Sequence, residues 1–285
     1  MRRHSITVLL AGALFLAGCS TSTGGQPAAG AATSGSSATP SSSAAGTADG
    51  TSASSGAEPG VAVDADVVET SVMRPMQVES DDFWEEILGL TGSKAKVSAA
   101  MVFLPGTETV DCGGVTLSGT DQFGPTYCPS SDRIVVSETF MTNLGDSEVL
   151  RADGSFADPA AEVGVYFLLA HQWGHDVIDE LVAEKGADVT FVLSNHTELA
   201  ADCLAGLAIA GVPRVFTDKD PASVLSQVVL VGERFSGIAG SPAARAEAVA
   251  FGMAKDYDDR PGLAAGVNEC LTEQAPTLAK ALGVS

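Results

Sequence analysis

The chain has 285 residues, of which 36 are Asp or Glu and 15 are Lys or Arg, so its formal net charge at pH 7 is −21. A surface of this charge repels a phosphate backbone, which argues against a nucleic-acid partner. The length suits one domain of ordinary size together with flanking segments.

The first 18 residues have the pattern of an export signal. Arg2 and Arg3 precede an apolar run, Ile6 to Ala17, that is too short to span a bilayer as a mature helix. The run ends in Leu16-Ala17-Gly18-Cys19, which resembles the lipobox of bacterial lipoproteins. The resemblance implies cleavage before Cys19, lipidation of Cys19, and an extracytoplasmic protein anchored to the cell membrane by lipid. An ordinary secretory signal is the alternative.

Residues 19–60 are predicted to be a disordered tether. From Ser20 to Gly60 the sequence is almost wholly Ser, Ala, Gly, Thr and Pro, and its only charged residues are Asp49 and Glu58. Such a composition has no side chains with which to build a core. The single folded domain is therefore expected over residues 61–285.

The predicted elements of that domain indicate the α+β class, with a small N-terminal β-sheet before a helical C-terminal half. The helix-like spacing of apolar residues predicts a helix at Asp81–Leu90, and β-branched runs predict strands at Val97–Leu104 and Arg133–Ser137. Capping residues followed by proline, and a terminal glycine, then predict four helices. They are Pro159–Lys185 ending at Gly186, Thr197–Gly211, Pro221–Gly237 and Pro242–Asp256.

Four cysteines remain when Cys19 is set aside, and an even number in an exported domain favours two disulfides. Three pairings are possible. We predict Cys112–Cys128, which closes a short Gly-rich loop, and Cys203–Cys270. A zinc site made of cysteines alone is the alternative, although no CxxC spacing supports it.

Two pairs of polar residues at helical spacing predict a metal site. His171 and His175 lie one turn apart on the Pro159–Lys185 helix, and this spacing alone is more often found in a surface or core pair than in a metal site. The next helix adds Glu198 and Asp202. If the two helices pack antiparallel, Glu198 can be a third zinc ligand, and Asp202 can accept the free N–H of a ligating histidine. A solvated helix face is the alternative for both carboxylates.

The sequence also resembles the bacterial neutral zinc metallopeptidases over about Met76 to Cys270. The resemblance is carried by Glu198 to Gly206 (ELAADCLAG) and by the cysteine loop with its flanking matches. Those segments are Cys112-Gly113, Phe123-Gly124-Pro125, Tyr127-Cys128-Pro129, Phe83-Trp84, and Ser241 through Phe251 to Cys270. The resemblance implies a zincin-like fold and a zinc cofactor, with His171, His175 and Glu198 as ligands and Asp202 behind them.

Gln172 departs from the family pattern. Members of the family have a catalytic glutamate after the first histidine, which accepts a proton from zinc-activated water, whereas a neutral amide cannot accept one. Asp176 and His196 are the candidate substitutes for this base. The simpler interpretations are a solvated helix residue for Asp176 and a residue that caps or lines the turn for His196. A fourth zinc ligand is a further possibility for His196.

Three functions are consistent with these residues. The first is a membrane-tethered zinc metallopeptidase whose hydrolysis is impaired at Gln172. The second is a pseudo-peptidase that binds zinc, and binds peptides or an envelope partner protein without cleaving them. The third is a structural envelope lipoprotein with no metal. The sequence predicts neither a substrate nor an oligomeric state.

Overall fold

The computed structural model describes residues 63–97, 99–121, 124–146, 150–157, 159–187, 195–212, 241–255 and 259–284. The predicted signal segment, the tether with Cys19, and the Pro221–Gly237 helix lie outside these residues. Among the described helices, none combines the length and the hydrophobicity needed to cross a bilayer.

The described part begins with one continuous helical segment. Helix α1 (Ala65–Val68) continues through a π-helical turn (Glu69–Met73) into α2 (Arg74–Leu90). The Asp64 side chain caps the N-terminus by accepting a hydrogen bond from the Asp66 backbone N–H. The buried apolar face that includes Trp84 continues toward the N-terminus of this segment through Met76, Met73 and Val72. The predicted helix at Asp81–Leu90 was therefore too short at its N-terminal side.

A three-stranded sheet follows. Its order is β1 (Ala100–Leu104), β5 (Arg133–Ser137) and β4 (Thr126–Cys128), with β1 parallel and β4 antiparallel to β5. β2 (Thr109–Asp111) and β3 (Thr116–Ser118) form a separate hairpin. The bounds predicted for β5 are confirmed, and β1 begins three residues later than predicted. The short strands β2, β3 and β4 were not predicted.

Six further helices complete the described fold. They are α3 (Glu138–Gly145), α4 (Pro159–Lys185), α5 (Asn195–Gly211), α6 (Pro242–Met253), α7 (Arg260–Gln274) and α8 (Pro276–Leu282). The bounds predicted for α4 are confirmed. α5 begins two residues earlier than predicted, α6 ends three residues earlier, and α7 and α8 were not predicted. The α+β class is confirmed.

Helix α5 is the centre of the helical half. It packs against α4, α6 and α7, and from Ala200 to Ile209 every residue except Asp202 is apolar and buried, as expected for a helix segment covered on all sides. Gly174 of α4 and Gly252 of α6 allow unusually close approach. A Cβ added at these glycines would lie 2.8 Å from the Ala201 oxygen and 2.0 Å from the Cys203 oxygen, respectively. These contacts set the spacing of the three helices.

Both predicted cysteine pairs are joined by disulfides. Cys112–Cys128 links the end of the β2–β3 hairpin to β4, with the Cα atoms 5.0 Å apart. Cys203–Cys270 links α5 to α7, with the Cα atoms 5.6 Å apart. The second disulfide ties the central helix to a helix that the sequence did not predict.

Candidate zinc site

The site lies where α4 and α5 run antiparallel to each other. His171 contacts Asp202, Gly174 faces Ala201, and His175 contacts Glu198, so the chain runs forward on one helix and backward on the other. This is the packing that the sequence required in order to bring the two pairs of polar residues together.

The three predicted ligands converge on one point. The two Nε2 atoms of His171 and His175 are 3.1 Å apart. Glu198 Oε2 lies 3.3 Å from His171 Nε2, and the other oxygen of the same carboxylate, Oε1, lies 3.5 Å from His175 Nε2. For tetrahedral zinc with ligand distances of about 2.0–2.2 Å, the donor atoms are roughly 3.3–3.5 Å apart. Each of the three distances is thus close to the donor spacing around tetrahedral zinc, and one donor atom from each residue can lie around a single ion, so the residues fit the metal.

The protonation of the site follows from its burial and its paired charges. Burial alone lowers the pKa of His171, but the carboxylates of Asp202 and Glu198 outweigh it and raise this pKa to about 9. Burial alone raises the pKa of Glu198, but hydrogen bonding from His171 and His175 holds it well below its usual range. Without metal, the proton on His171 and the negative charge of Glu198 stabilise each other, and a divalent cation would displace that proton.

Asp202 supports the site from behind. It is fully buried, and its Oδ1 lies 2.8 Å from His171 Nδ1. The same carboxylate accepts hydrogen bonds from Arg245 Nε at 2.8 Å and from Arg245 Nη2 at 2.7 Å. Asp202 was predicted to lie behind the ligands, whereas Arg245 was not predicted to take part in the site. The available signal was that Arg245 is the one basic residue of a largely apolar helix, PAARAEAVAFGM.

Gln172 faces the sheet edge. Its Oε1 accepts a hydrogen bond from the Tyr127 backbone N–H at 2.7 Å. Tyr127 lies on β4, whose other side pairs with β5. The amide of Gln172 cannot be flipped, because its NH2 group would then face the Tyr127 N–H, which is also a donor. One of the two lone pairs of the Gln172 oxygen is thus already engaged.

A family model agrees with this geometry. The model described as "Putative neutral zinc metallopeptidase" matches residues 35–232, which include both helices of the donor set. The chain belongs to this family. The cofactor is zinc, as the family description and the donor set both indicate. No significant match was found among curated proteins or among solved structures.

The mixed architecture agrees with the zincin-like fold that the family resemblance implied. The match ends before α6, so Arg245 lies on a helix beyond the matched segment. The family assignment therefore covers the zinc ligands but does not cover the arginine that holds Asp202.

The simpler interpretation of Asp176 was wrong. This residue is fully buried, not solvated, and its Oδ2 accepts a hydrogen bond from the Ala99 backbone N–H at 3.0 Å. Its carboxylate groups with those of Asp132 and Glu180 and not with the zinc donors. α4 is covered by the sheet on this side, which the helix pattern alone did not show. The role of Asp176 as a substitute base stays a prediction.

The second candidate base is not placed by the structure. The backbone of His196 lies in the first turn of α5, but its side chain is outside the described residues. Both of its predicted roles, as a substitute base and as a fourth ligand, remain predictions.

Proposed function

We propose that this protein is an exported zinc metallopeptidase with slow hydrolysis, in which His171, His175 and Glu198 hold the metal. The single observation that carries the proposal is the spacing of the donor atoms, with the two Nε2 atoms 3.1 Å apart and each of them within 3.3 or 3.5 Å of a Glu198 oxygen. Three protein donors and one open position are typical of catalytic zinc, whereas structural zinc has four protein ligands. Among the described residues, no fourth metal-binding side chain joins this group.

The side of the site formed by His175 and Glu198 lies nearer to solvent than the side formed by Asp202. The side chains of His175 and Glu198 are 15% and 13% exposed, while Asp202 behind them is fully buried. A substrate would therefore approach from the side of His175 and Glu198. When bound, zinc would polarise a peptide carbonyl and make water a better nucleophile.

The slow rate follows from Gln172. Hydrolysis needs a group that removes a proton from the attacking water and returns it to the leaving amine. An amide has no basic lone pair, and the oxygen of Gln172 already accepts the Tyr127 N–H. Loss of a general base typically lowers a rate by about 10²- to 10⁴-fold.

A second candidate function is favoured by the same hydrogen bond. Because Gln172 joins α4 to the edge strand β4, it stabilises the wall beside the zinc site. A protein that holds zinc and a rigid edge strand without a base is suited to bind a peptide or an envelope partner protein without cleaving it. This pseudo-peptidase uses the same ligands, so only the chemical step separates the two candidates.

One comparison of variants separates the candidates. Purified wild-type protein, Gln172→Glu, Glu198→Ala and the double variant Gln172→Glu/Glu198→Ala, each supplied with zinc, are assayed against a peptide library by mass spectrometry. In Gln172→Glu, one carboxylate oxygen can accept the Tyr127 N–H while the other accepts a proton, so we expect cleavage about 10²- to 10⁴-fold faster than in wild type. Glu198→Ala should abolish it.

The outcomes divide as follows. Weak wild-type cleavage that is lost in Glu198→Ala alone supports the peptidase. Cleavage that is undetectable in wild type but present in Gln172→Glu supports the binding protein. No cleavage by either zinc-loaded form contradicts a peptidase site.

We further propose that the domain is held at the outer face of the cell membrane by lipid on Cys19. The proposal is supported by the basic N-terminus, the apolar run and the Leu16-Ala17-Gly18-Cys19 sequence. Cys19→Ser should move the protein from the membrane fraction to the soluble extracytoplasmic fraction and abolish its labelling by a fatty-acid analogue. Unchanged fractionation and labelling would contradict the anchor.

A further inference from the structure

We infer that Arg245 is a positioning residue for the zinc site, acting through Asp202 on His171. This inference rests on the proposed zinc site. It adds a helix outside the segment matched by the family model to the structure that holds the metal.

The first step is the geometry of the Arg245–Asp202 pair. Both carboxylate oxygens are engaged, since Oδ2 accepts from Arg245 Nε at 2.8 Å and Oδ1 from Nη2 at 2.7 Å. Two parallel hydrogen bonds from a planar guanidinium fix both the position and the plane of a carboxylate. The carboxylate of Asp202 therefore cannot rotate without breaking a bond to Arg245.

The second step is what that fixed carboxylate does. Oδ1, held by Arg245 Nη2, is also the atom 2.8 Å from His171 Nδ1. A carboxylate at this position keeps the ring proton on Nδ1 and leaves the Nε2 lone pair for the metal. The orientation of the His171 ring toward zinc thus depends on the plane that Arg245 imposes on Asp202.

The third step is that helix α6 does not otherwise favour a cation here. Arg245 lies in the first turn, where Ser241 Oγ caps the helix by accepting the Ala244 N–H. Backbone N–H groups at a helix N-terminus disfavour positive charge. The arginine is also only 4% exposed, with its guanidinium 5.9 Å from the Phe167 ring centroid. The negative charge of Asp202 compensates for the burial of the Arg245 guanidinium at this place.

The test measures zinc affinity by competition with a chromophoric chelator, with zinc alone as the probe. We expect Arg245→Met to weaken zinc binding about 10- to 100-fold, the usual effect of losing a residue that supports a metal ligand. Arg245→Lys keeps the charge but not the paired hydrogen bonds, so its loss should be smaller. Arg260→Met is the matched control. Arg260 donates a hydrogen bond to the Gly211 oxygen at 2.9 Å. Gly211 is the last residue of α5, whereas Glu198 lies in the first turn of that helix, so loss of the Arg260 side chain should leave zinc affinity unchanged.

A double-mutant cycle separates positioning from a merely structural role. If Arg245 acts through the Asp202 carboxylate, Arg245→Met should weaken zinc binding in the wild-type background and cause no further loss in Asp202→Asn. Equal losses in both backgrounds would overturn the inference. So would unchanged affinity in Arg245→Met. If Arg245→Met does not fold, Arg245→Lys is carried through the same cycle with the same expectations.

Failure of this inference can be told apart from failure of the proposed function. A wild-type protein that binds no zinc overturns both. A wild-type protein that binds zinc, with Arg245 variants that bind it equally well, overturns only the role of Arg245.

Discussion

Gly174→Ala is the substitution that should most sharply reveal how the helices hold the zinc ligands. Gly174 lies between His171 and His175 on α4, at the closest approach to α5. An added Cβ would lie 2.8 Å from the Ala201 oxygen and 2.9 Å from its Cα. Ordinary contact begins near 3.4 Å, so the helices would have to separate by about 0.6 Å.

The effect on the metal follows from which distances between donor atoms cross between helices. The distance between the two histidines lies within α4 and would not change. The distances of 3.3 and 3.5 Å to the Glu198 oxygens both cross to α5 and would lengthen. Metal sites tolerate errors of about 0.2 Å in ligand distance. We expect zinc affinity to fall by roughly tenfold or more, and overpacking to cost about 1 kcal/mol of unfolding free energy.

The assay is chelator competition for affinity and urea denaturation of the metal-free protein for stability. Gly89→Ala is the matched control, since a Cβ at this exposed position of α2 meets nothing within 4 Å. There we expect unchanged zinc affinity and a gain of about 0.5 kcal/mol from the helix preference of alanine. Gly174→Ala with wild-type zinc affinity would refute the spacing argument.

Three further outcomes are expected. Burial, followed by the charge of Asp82, raises the pKa of Asp81 to about 6, so stability is lost as pH rises from about 4 to 6. Asp81→Asn should therefore have the same free energy of unfolding as wild type near pH 4, and should be about 1 kcal/mol more stable than wild type above pH 6, allowing for partial exposure. A difference in urea midpoint that does not change with pH would contradict this. In Gly252→Ala, the added Cβ would lie 2.0 Å from the Cys203 oxygen, so the free energy of unfolding should fall by about 1–3 kcal/mol in the same urea assay. An unchanged urea midpoint would contradict this. Replacing both Cys203 and Cys270 by alanine should lower the free energy of unfolding by about 4 kcal/mol, and removing the other disulfide should lower it by about 3 kcal/mol. The difference is expected because the two disulfides close loops of 67 and 16 residues, respectively. A larger loss for the 16-residue loop in urea denaturation would contradict this reasoning.

The sequence predicted the parts of the fold that local chemistry determines. The bounds of α4 follow from Pro159 at its first position and from Gly186, whose φ of 59° ends the helix. The ligand set was predictable because helical spacing places each pair of polar residues on one face. The antiparallel packing of α4 and α5 was then the only long-range assumption needed.

The missing parts depend on contacts between distant segments. The hydrogen bond from the Tyr127 N–H to Gln172 joins residues 45 positions apart, and its strand β4 is only three residues long. Arg245 pairs with Asp202 across 43 positions. Asp176 was misjudged because a single helix pattern does not show which side another element covers. Long-range pairs of this kind have no periodic signal in the sequence.

X-ray absorption spectroscopy at the zinc edge tests the proposed site most directly. For protein loaded with one equivalent of zinc, we expect two imidazole nitrogens at about 2.0–2.1 Å, a carboxylate oxygen at about 2.0–2.2 Å and one further light atom. Glu198→Ala should remove the carboxylate from this shell. Sulfur at about 2.3 Å, or a wild-type shell without two imidazoles, would contradict a site made by His171, His175 and Glu198.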